Sequence, residues 1–320
     1  MGEQRGPEYE LAIIGAGPAG LAAAVYAARD NIPTVVLEKG VVGGMAAVTA
    51  SIENYPGFDL GVGGLELSSR LARHAARFGT VIKTGFEVQS LARTGQYITL
   101  RGQTESITAR TALIATGSTY RHLGIAGEEA LIGRGVHYCA TCDAPLYKGQ
   151  RILVVGGGDS AIQESLFIAK FASHVTLLIR GEKFKGNATL RRQLLSLPNV
   201  SYRNHTEITA IHSDGHKATG VDTINHQTGH TSHLAADGIF VFVGLSANSE
   251  PFKNALALDS RGFIITDTNL ATSLPGVFAA GDVRSESIWQ IANATGEGVR
   301  AALSVRDYLK AYPESQPRSS

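Results

Sequence analysis

The chain has 320 residues, 43% of them hydrophobic, and its 29 basic residues nearly balance its 28 acidic residues. At about 150 residues per domain, this length predicts two domains. The balanced charge argues against nucleic acid or an anionic membrane as a partner. The sequence contains no apolar run of about 20 residues, so no transmembrane helix is predicted. First in chain order, the polar stretch from Met1 to Glu10 lacks the apolar core of a signal peptide, so we expect a cytoplasmic protein.

The next predicted elements are a strand at residues 11–14, a glycine-rich turn and a helix at residues 21–29. In a GxGxxG turn, the first glycine permits the tight bend, the second admits a pyrophosphate to the backbone, and the third lets helix and strand pack closely. The helix N-terminus then faces the phosphates. A strand at residues 34–38 ends in Glu38, whose carboxylate suits ribose hydroxyls. This set predicts a dinucleotide site rather than a structural glycine turn. The glycines are Gly15, Gly17 and Gly20.

The only two cysteines of the chain, Cys139 and Cys142, stand three positions apart. Thiols at this spacing can close a small disulfide that exchanges readily, and one thiolate of such a pair usually has a lowered pKa. Asp143 can carry a proton when a thiolate forms or leaves. A zinc half-site and two inert buried cysteines are the alternatives, but zinc needs about four ligands and only His137 lies nearby. The pair is therefore predicted to be redox-active, and no metal site is predicted.

The strand, glycine turn and helix recur at residues 152–155, 156–161 and 162–171, and another strand follows at residues 175–179. No acid ends this strand, and Arg180 follows it instead. An arginine at this point can face the 2′-phosphate of NADP, which favours NADP over NAD.

Two nearby charges leave the ligand of this second turn open. Glu182 can serve a free ribose hydroxyl, whereas Lys185 adds a positive charge for a phosphate. A nucleotide fold that has lost its ligand is a further alternative.

Two further predicted strands end in small residues, at residues 112–117 and 276–282. The second lies far along the chain from the GxGxxG turn. A discontinuous domain of residues 1–118 plus 249–320, with a second domain of residues 119–248 inserted into it, explains this layout. Both domains are predicted to be α/β and Rossmann-like, because continuously apolar strands are typical of covered parallel sheets. Two consecutive domains are the alternative.

Three histidines in a polar stretch between strands are interpreted as a solvated loop rather than a metal site. They are His226, His230 and His233. Trp289 either packs in the core or stacks on a flat ligand ring. The tail from Tyr312 to Ser320 is rich in Pro, Ser and Gln and is expected to be mobile.

In this order, the motifs resemble those of the low-molecular-weight thioredoxin reductases over nearly the whole chain. The matching segments are residues 15–20, 53–57, 115–117, 139–143, 156–161 and 276–283. A dithiol in the inserted domain distinguishes this group from larger disulfide reductases. In such a chain of sites, electrons pass from a nicotinamide to a flavin and then to the disulfide, because a flavin handles both hydride and thiol chemistry.

The resemblance implies a homodimer that holds FAD in the discontinuous domain and reduces thioredoxin or a thioredoxin-like protein. It implies that Cys142 lies nearer the flavin, that Cys139 attacks the thioredoxin disulfide, and that Asp143 donates a proton. The inserted domain would rotate so that either the dithiol or the nicotinamide meets the flavin. The implied FAD site comprises Gly15, Gly17, Pro18, Ala19, Gly20, Glu38, Lys39, Gly44, Met45, Asn54, Val88, Ala115, Thr116, Gly117, Gly281, Asp282, Trp289, Gln290 and Ile291. The implied NADPH site comprises Gly156, Gly158, Asp159, Ser160, Ala161, Arg180 and Lys185.

Three departures from the family's motifs change the expected surroundings of the cofactors. Where the family has Gly-Gly-Gln and Arg-Gln-Ala beside the flavin, this chain has Gly-Gly-Met at residues 43–45 and Trp-Gln-Ile at residues 289–291. The family's NADPH signature is His-Arg-Arg with a later Arg. The aligned residues here are Ile179, Arg180, Gly181 and Lys185. Arg and Lys differ in phosphate geometry, so the identity of the electron donor is open.

Three functions fit these motifs. The first is a thioredoxin reductase driven by NADPH. The second is a pyridine-nucleotide-independent member of the family, either a reductase fed by a protein such as ferredoxin or a dithiol oxidase that passes electrons to oxygen. The third, a non-enzymatic flavin redox sensor, fits least, because the intact Cys-Ala-Thr-Cys-Asp set and both glycine turns exceed what a sensor needs.

Overall fold

The computed structural model describes residues 7–49, 52 and 54–313. Its strands are β1 (Tyr9–Ile14), β2 (Thr34–Glu38), β3 (Val81–Thr84), β4 (Ser90–Thr94), β5 (Tyr97–Arg101), β6 (Ser106–Ile114), β7 (Ser118–Tyr120), β8 (Val136–His137), β9 (Arg151–Val155), β10 (His174–Leu178), β11 (Val200–Arg203), β12 (Thr206–Ser213), β13 (Ala218–Asn225), β14 (Thr231–Ala235), β15 (Gly238–Val241), β16 (Leu245–Ala247) and β17 (Val277–Ala279). Its helices are α1 (Pro18–Arg29), α2 (Gly44–Ala47), α3 (Gly64–Arg77), α4 (Ala140–Asp143), α5 (Asp159–Ile168), α6 (Ala188–Leu195) and α7 (Ile291–Ala311). Glu53 of the predicted flavin motif, residues 1–6 of the polar N-terminal stretch and residues 314–320 of the tail lie outside the described residues.

Both predicted strand–turn–helix units are present, as β1 with α1 and as β9 with α5. The second helix differs from its prediction. It begins at Asp159, within the glycine motif, and ends at Ile168 rather than at Phe171. The N–H of Phe171 donates to the backbone O of Ile168 at 2.9 Å, so the chain tightens into a turn there instead of continuing the helix.

The chain divides into two units, residues 1–119 with 246–320 and residues 120–245. Both units are α/β with a mainly parallel sheet, as predicted. Which cofactor each unit binds stays a prediction.

In the first unit, one sheet has the strand order β3-β2-β1-β6-β5-β4, and β17 also pairs with β6. The strands β1, β2, β3, β6 and β17 run parallel, whereas β4 and β5 form an antiparallel extension. Leu11 and Ile13 of β1 pack in the core on the side of α1 and α7, and Ala12 and Ile14 pack in the core on the opposite face. Because both faces are covered, the strands are continuously apolar. Their carboxyl ends meet at one edge, where open α/β sheets bind their ligands.

In the second unit, the main sheet has the parallel strand order β11-β10-β9-β15-β8. One face packs against α5 and α6, and the other packs against the antiparallel sheet β12-β13-β14. The strands β7 and β16, most of whose residues belong to the first unit, form a separate two-stranded sheet. No helix in the described part of the chain combines the length and apolarity that a membrane crossing requires.

Helix α7 passes so close to α1 that Gly298 has no room for a side chain. A Cβ atom there would lie 2.1 Å from the backbone O of Ala19. We expect Gly298→Ala to push the helices apart and to lower the free energy of unfolding by about 1–3 kcal/mol. An added Cβ at Gly296, on the same helix, has nothing within 4 Å, so Gly296→Ala should raise that free energy by about 0.5–1 kcal/mol. Urea unfolding followed by Trp289 fluorescence tests both variants, and equal midpoint shifts would contradict the close approach.

Candidate active site

The first glycine turn follows β1 directly and has a backbone that requires glycine at positions 15 and 20. Gly15 has a φ of +104°, and a Cβ atom there would lie 2.4 Å from the backbone O of Ala115. A Cβ atom on Gly20 would lie 2.0 Å from the backbone O of Gly15. Pro18 begins α1 after Gly17, and no side chain caps this helix. The backbone N–H groups of its first turn therefore remain available to an anion.

Glu38, at the end of β2, is buried and accepts two hydrogen bonds from the backbone. The N–H of Ala16 donates to its Oε2 at 2.8 Å, and the N–H of Gly40 donates to its Oε1 at 2.7 Å. These bonds hold the carboxylate beside the glycine turn. Lys39 is exposed, and its Nζ lies 3.8 Å from Oε1 of Glu87.

A cleft of about 790 Å³ lies at the carboxyl ends of these strands. This volume falls within the range of cofactor pockets, about 300–1,000 Å³. Predicted site residues in its lining are Gly15, Glu38, Lys39, Val88 and Thr116.

The segment that follows β6 forms one wall of this cleft. Thr116 Oγ1 donates to the backbone O of Asn248 at 2.8 Å, and Nδ2 of Asn248 donates to the backbone O of Thr116 at 2.8 Å. Gly117 has a φ of +67°, and its backbone O accepts the N–H of Asn248 at 3.0 Å. These bonds join two parts of the first unit that are far apart in sequence.

Gly281 and Asp282 follow β17. Gly281 has a φ of +75°, its N–H donates to Oε2 of Glu297 at 2.7 Å, and a Cβ atom there would lie 3.0 Å from Cβ of Ala19. Oδ1 of Asp282 is buried and has no hydrogen-bond partner among the described residues. Burial, with a smaller contribution from the charge of Glu297, raises the pKa of Asp282 to about 7. A ligand hydroxyl would satisfy this acceptor.

Two predicted flavin segments contact other parts of the predicted site. Gly44 has a φ of +55°, and a Cβ atom there would lie 3.6 Å from Cα of Gly17, so this segment passes beside the first glycine turn. Nδ2 of Asn54 donates to Oε1 of Gln290 at 3.0 Å. Met45 is 50% exposed, which leaves an apolar side chain uncovered at the predicted cofactor site.

Trp289 packs against a protein ring, which was one of its two predicted environments. Its indole lies 5.9 Å from the ring of Phe263, with 28° between the planes. Its Nε1 is buried and has no hydrogen-bond partner among the described residues, although buried donors are normally bonded. Ile291 begins α7 two residues later.

The second glycine turn repeats the backbone of the first. Gly156 has a φ of +141°, and a Cβ atom there would lie 2.4 Å from the backbone O of Phe242. Gly158 precedes α5 and makes no side-chain cap. Oδ1 of Asp159 accepts the N–H of Asn187 at 2.6 Å, which ties the turn to the start of α6.

The predicted phosphate ligands of the second turn lie on the loop after β10. Arg180 and Lys185 are exposed, and the N–H of Lys185 donates to the backbone O of Gly157 at 2.7 Å, so this loop borders the glycine turn. Ser160 is exposed and Ala161 is buried at the start of α5. Phosphate binding by these residues stays a prediction.

Cys139 and Cys142 form a disulfide with their Cα atoms 5.4 Å apart. Cys139 caps α4, Cys142 lies within it, and both are half-buried. One helical turn brings side chains at positions i and i+3 to the same side of the chain. A disulfide fits the predicted redox pair better than it fits a zinc half-site, because zinc binds thiolates.

His137 connects Asp143 to Tyr147, a contact that the sequence did not reveal. His137 is buried, and its Nδ1 lies 3.1 Å from Oδ2 of Asp143. Its Nε2 lies 2.7 Å from the hydroxyl of Tyr147, whose pKa burial and the charge of Asp143 raise to about 12. The tyrosine therefore keeps its proton, and its hydroxyl can donate to Nε2. The one available signal was that His137 stands two positions before Cys139, on the short strand β8.

The sequence predicted that the histidine-rich stretch is a single loop, and the structure shows that it is not. His226 and His230 flank the turn after β13, but His233 lies within β14, opposite Asp222 of β13. The prediction was wrong for His233 because the outer face of an edge strand is solvated and has the polar composition of a loop.

The described geometry has counterparts in known proteins. A family model described as pyridine nucleotide-disulphide oxidoreductase matches residues 9–298. The chain belongs to the pyridine nucleotide-disulphide oxidoreductase family. It is 38% identical to a thioredoxin reductase of Bacillus subtilis over 307 residues, which are 96% of each chain. The crystal structure of a thioredoxin reductase from Streptococcus pyogenes is 37% identical with a TM-score of 0.89, over 95% of this chain and 99% of that one.

A further solved relative, the atypical thioredoxin reductase of Desulfovibrio vulgaris Hildenborough, is 30% identical with a TM-score of 0.53, over 96% of this chain and 100% of that one. The predicted resemblance to thioredoxin reductases is therefore confirmed, and with it an oxidoreductase of the disulfide-reducing class.

Pyridine nucleotide-disulphide oxidoreductases bind FAD, which confirms the predicted cofactor. The residues of the first unit fit this group. The uncapped start of α1 suits a pyrophosphate, Glu38 suits a ribose, and the buried Oδ1 of Asp282 and Nε1 of Trp289 require polar partners that a bound cofactor would supply.

Proposed function

We propose that this chain is an FAD-dependent reductase of the thioredoxin disulfide. The observation that carries the proposal is the Cys139–Cys142 disulfide beside Asp143, whose Oδ2 lies 3.1 Å from Nδ1 of the buried His137, in a chain whose relatives are named thioredoxin reductases. Residues 1–118 plus 249–320 are proposed to form the FAD domain. Residues 119–248 are proposed to form the nucleotide domain that carries the dithiol.

The first unit would hold FAD through residues already described. The start of α1 would bind the pyrophosphate, Glu38 would bind a ribose, and Asp282 would accept from a hydroxyl of the cofactor. When bound, FAD accepts two electrons from a donor and delivers them to a disulfide.

The reduced pair would act on thioredoxin by thiol–disulfide exchange. The Cys139 thiolate attacks one sulfur of the partner's disulfide, which forms a mixed disulfide and releases one partner thiolate. The Cys142 thiolate then attacks the Cys139 sulfur, re-forms the internal disulfide and releases the second partner thiolate. The two protons of the dithiol pass to these thiolates, and we propose that Asp143 carries one of them.

An anaerobic titration of the FAD-loaded protein tests this function. Prompt bleaching of the flavin by about one equivalent of NADPH, and recovery of the colour on adding oxidised thioredoxin, are expected for an NADPH-driven reductase. If dithionite-reduced protein does not reduce the thioredoxin disulfide, the proposed function is wrong.

A second candidate, a reductase fed by a protein donor such as ferredoxin, is favoured by the loop after β10. This loop offers Arg180 and Lys185 but has Gly181 where the family has an arginine. No bleaching by NADPH or NADH, together with prompt bleaching by reduced thioredoxin, would support this candidate.

Restoring the family's arginine at Gly181 should strengthen NADPH binding. A Cβ atom at Gly181 has no neighbour closer than the backbone O of Lys183 at 3.8 Å, so a side chain fits. We expect Gly181→Arg to lower the KM for NADPH about tenfold and to leave the KM for NADH unchanged, because arginine adds a charge-assisted bond to the 2′-phosphate only. Steady-state kinetics with Gly181→Gln as the control separates charge from bulk. An unchanged preference between the two nucleotides would mean that this position does not select the donor.

His137 is proposed as a positioning residue for Asp143. We expect His137→Ala to lower kcat for thioredoxin about tenfold or more, to leave the KM for thioredoxin unchanged and to change the pH profile of kcat, because Asp143 loses its contact with the buried imidazole. His137→Asn retains a donor near Nδ1 and should restore part of the rate. Stopped-flow reoxidation of the reduced dithiol measures the step. A purely structural role would lower the rates of both variants equally without changing the pH profile.

We further propose a cytoplasmic homodimer, since the resemblance implies one. Sedimentation of the FAD-loaded protein tests the dimer, and a monomer at micromolar concentration would contradict it.

A further inference from the structure

Three strands of the second unit bring two imidazoles and a carboxylate together on one face. In the register of the antiparallel sheet, Asp222 of β13 stands opposite His233 of β14. His212 of β12 stands opposite Gly220, two residues from Asp222 on the same face of β13, and is therefore diagonal to Asp222. The three side chains come from three different strands, so the sheet itself sets their separation.

The ligand atoms of these side chains converge on one point. Nε2 of His212 lies 2.7 Å from Oδ2 of Asp222, and Nδ1 of His233 lies 3.0 Å from its Oδ1. The three potential ligand atoms all lie within 4.8 Å of one another, and the two imidazole rings are 5.3 Å apart. Ligands about 2.0–2.1 Å from one zinc ion lie roughly 3–4 Å apart, so small side-chain rotations bring all three onto one ion.

The surroundings of the cluster keep it open to solvent. The side chains of His212, Asp222 and His233 are 47%, 45% and 54% exposed. The opposite face of the same strands carries the core residues Ile211 and Val221. Because the apolar face already anchors the sheet, the outer cluster is not needed to hold the fold together.

Gly220 provides the space in which the His233 ring lies. A Cβ atom on Gly220 would lie 2.9 Å from Nε2 of His233 and 2.6 Å from the backbone O of Leu234. Any larger residue at this position would displace the imidazole. The ring is therefore held over the sheet by close packing on one side and by the Asp222 bond on the other.

The chemistry of this donor set selects a class of ion. Imidazole nitrogen with one carboxylate is a common donor set for zinc and neighbouring divalent transition metals, whereas calcium and magnesium prefer oxygen ligands. A neutral imidazole needs only to carry its proton on the other ring nitrogen to present a lone pair.

We propose that His212, Asp222 and His233 bind one divalent transition-metal ion of the zinc type, with water completing its coordination. This site shares no residue with the dithiol or with either glycine turn, and it adds a metal-binding function to the proposed redox function. The open coordination positions face solvent.

Calorimetry with zinc chloride tests the site on the untagged, FAD-loaded full chain after chelator treatment. The Cys139→Ser/Cys142→Ser variant is the background, so that thiolates cannot bind the metal. We expect about one equivalent of zinc per chain, and we expect Asp222→Asn or the double change His212→Ala/His233→Ala to weaken binding at least about tenfold.

The same sheet offers a matched control. His226 Nε2 lies 2.5 Å from Oε2 of Glu207 and forms an exposed pair of the same kind without a second histidine among the described residues. His226→Ala should leave zinc binding unchanged. Cobalt in place of zinc should give visible absorption bands that the double histidine variant lacks. Far-ultraviolet circular dichroism of every variant checks that the second unit, which carries all four changed residues, is folded.

The proposal would be overturned by no zinc binding to the background variant, or by equal weakening in His226→Ala and in the cluster variants. Either result would mean that His212, Asp222 and His233 form only a hydrogen-bonded surface cluster. Thioredoxin turnover is measured separately, on the chain with both cysteines. A chain that binds no zinc can therefore still show the proposed redox function.

Discussion

Cys142→Ser is expected to lower thioredoxin turnover by at least about a thousandfold while FAD stays bound. Exchange needs both sulfurs, and removing one member of a catalytic unit costs about as much as removing the whole unit. Both cysteines lie in the second unit, outside the residues proposed to bind FAD, so the FAD content per chain should stay unchanged. Anaerobic turnover and FAD content per chain measure the two parts of this prediction.

The two single variants should differ in what they trap. In Cys142→Ser, Cys139 can attack thioredoxin but no second thiol resolves the mixed disulfide, so a covalent complex should accumulate when the thioredoxin also lacks its resolving cysteine. In Cys139→Ser, the complex should not form. Non-reducing gel electrophoresis separates the two cases. A complex formed by Cys139→Ser and not by Cys142→Ser would reverse the roles proposed for the two sulfurs.

Asp282→Asn is expected to stabilise the FAD-free protein at pH 8 by up to about 4 kcal/mol and to change little at pH 4. The folded pKa of Asp282, about 7, lies above the unfolded value of 3.8. The folded state therefore binds this proton more tightly, and stability falls as the pH rises from about 4 to 7. Each pKa unit corresponds to about 1.4 kcal/mol, and solvent access to the half-buried residue reduces the total.

Urea unfolding of deflavinated protein at several pH values measures this effect, and the single tryptophan, Trp289, reports on the first unit. Asp59 is exposed and serves as the control, since Asp59→Asn should leave the pH dependence unchanged. Bound FAD should reduce the difference, because a hydroxyl donor beside Asp282 would stabilise its charged form. Equal midpoint shifts at pH 5 and pH 8 would show that burial does not raise the pKa of Asp282.

Local patterns of the sequence predicted the α/β class, both glycine turns and the dithiol. Gly15 and Gly156 could be recognised because a positive φ and a close backbone contact demand glycine at these positions. Glu38 could be predicted as a ribose ligand because it ends the strand that follows the first glycine turn and its helix. The disulfide between Cys139 and Cys142 could be predicted because one helical turn brings side chains three positions apart close together.

The tertiary structure decided the contacts between distant segments. The buried, unpartnered Oδ1 of Asp282, the Asn54–Gln290 bond and the link from Asp143 through His137 to Tyr147 have no pattern in the sequence. His233 was assigned to a loop because composition does not distinguish a loop from the outer face of an edge strand. Periodicity and turn chemistry act over a few residues, so the sequence by itself determined the elements and their motifs. Burial and pairing depend on how sheets and helices pack, so only the folded chain decided which polar groups meet.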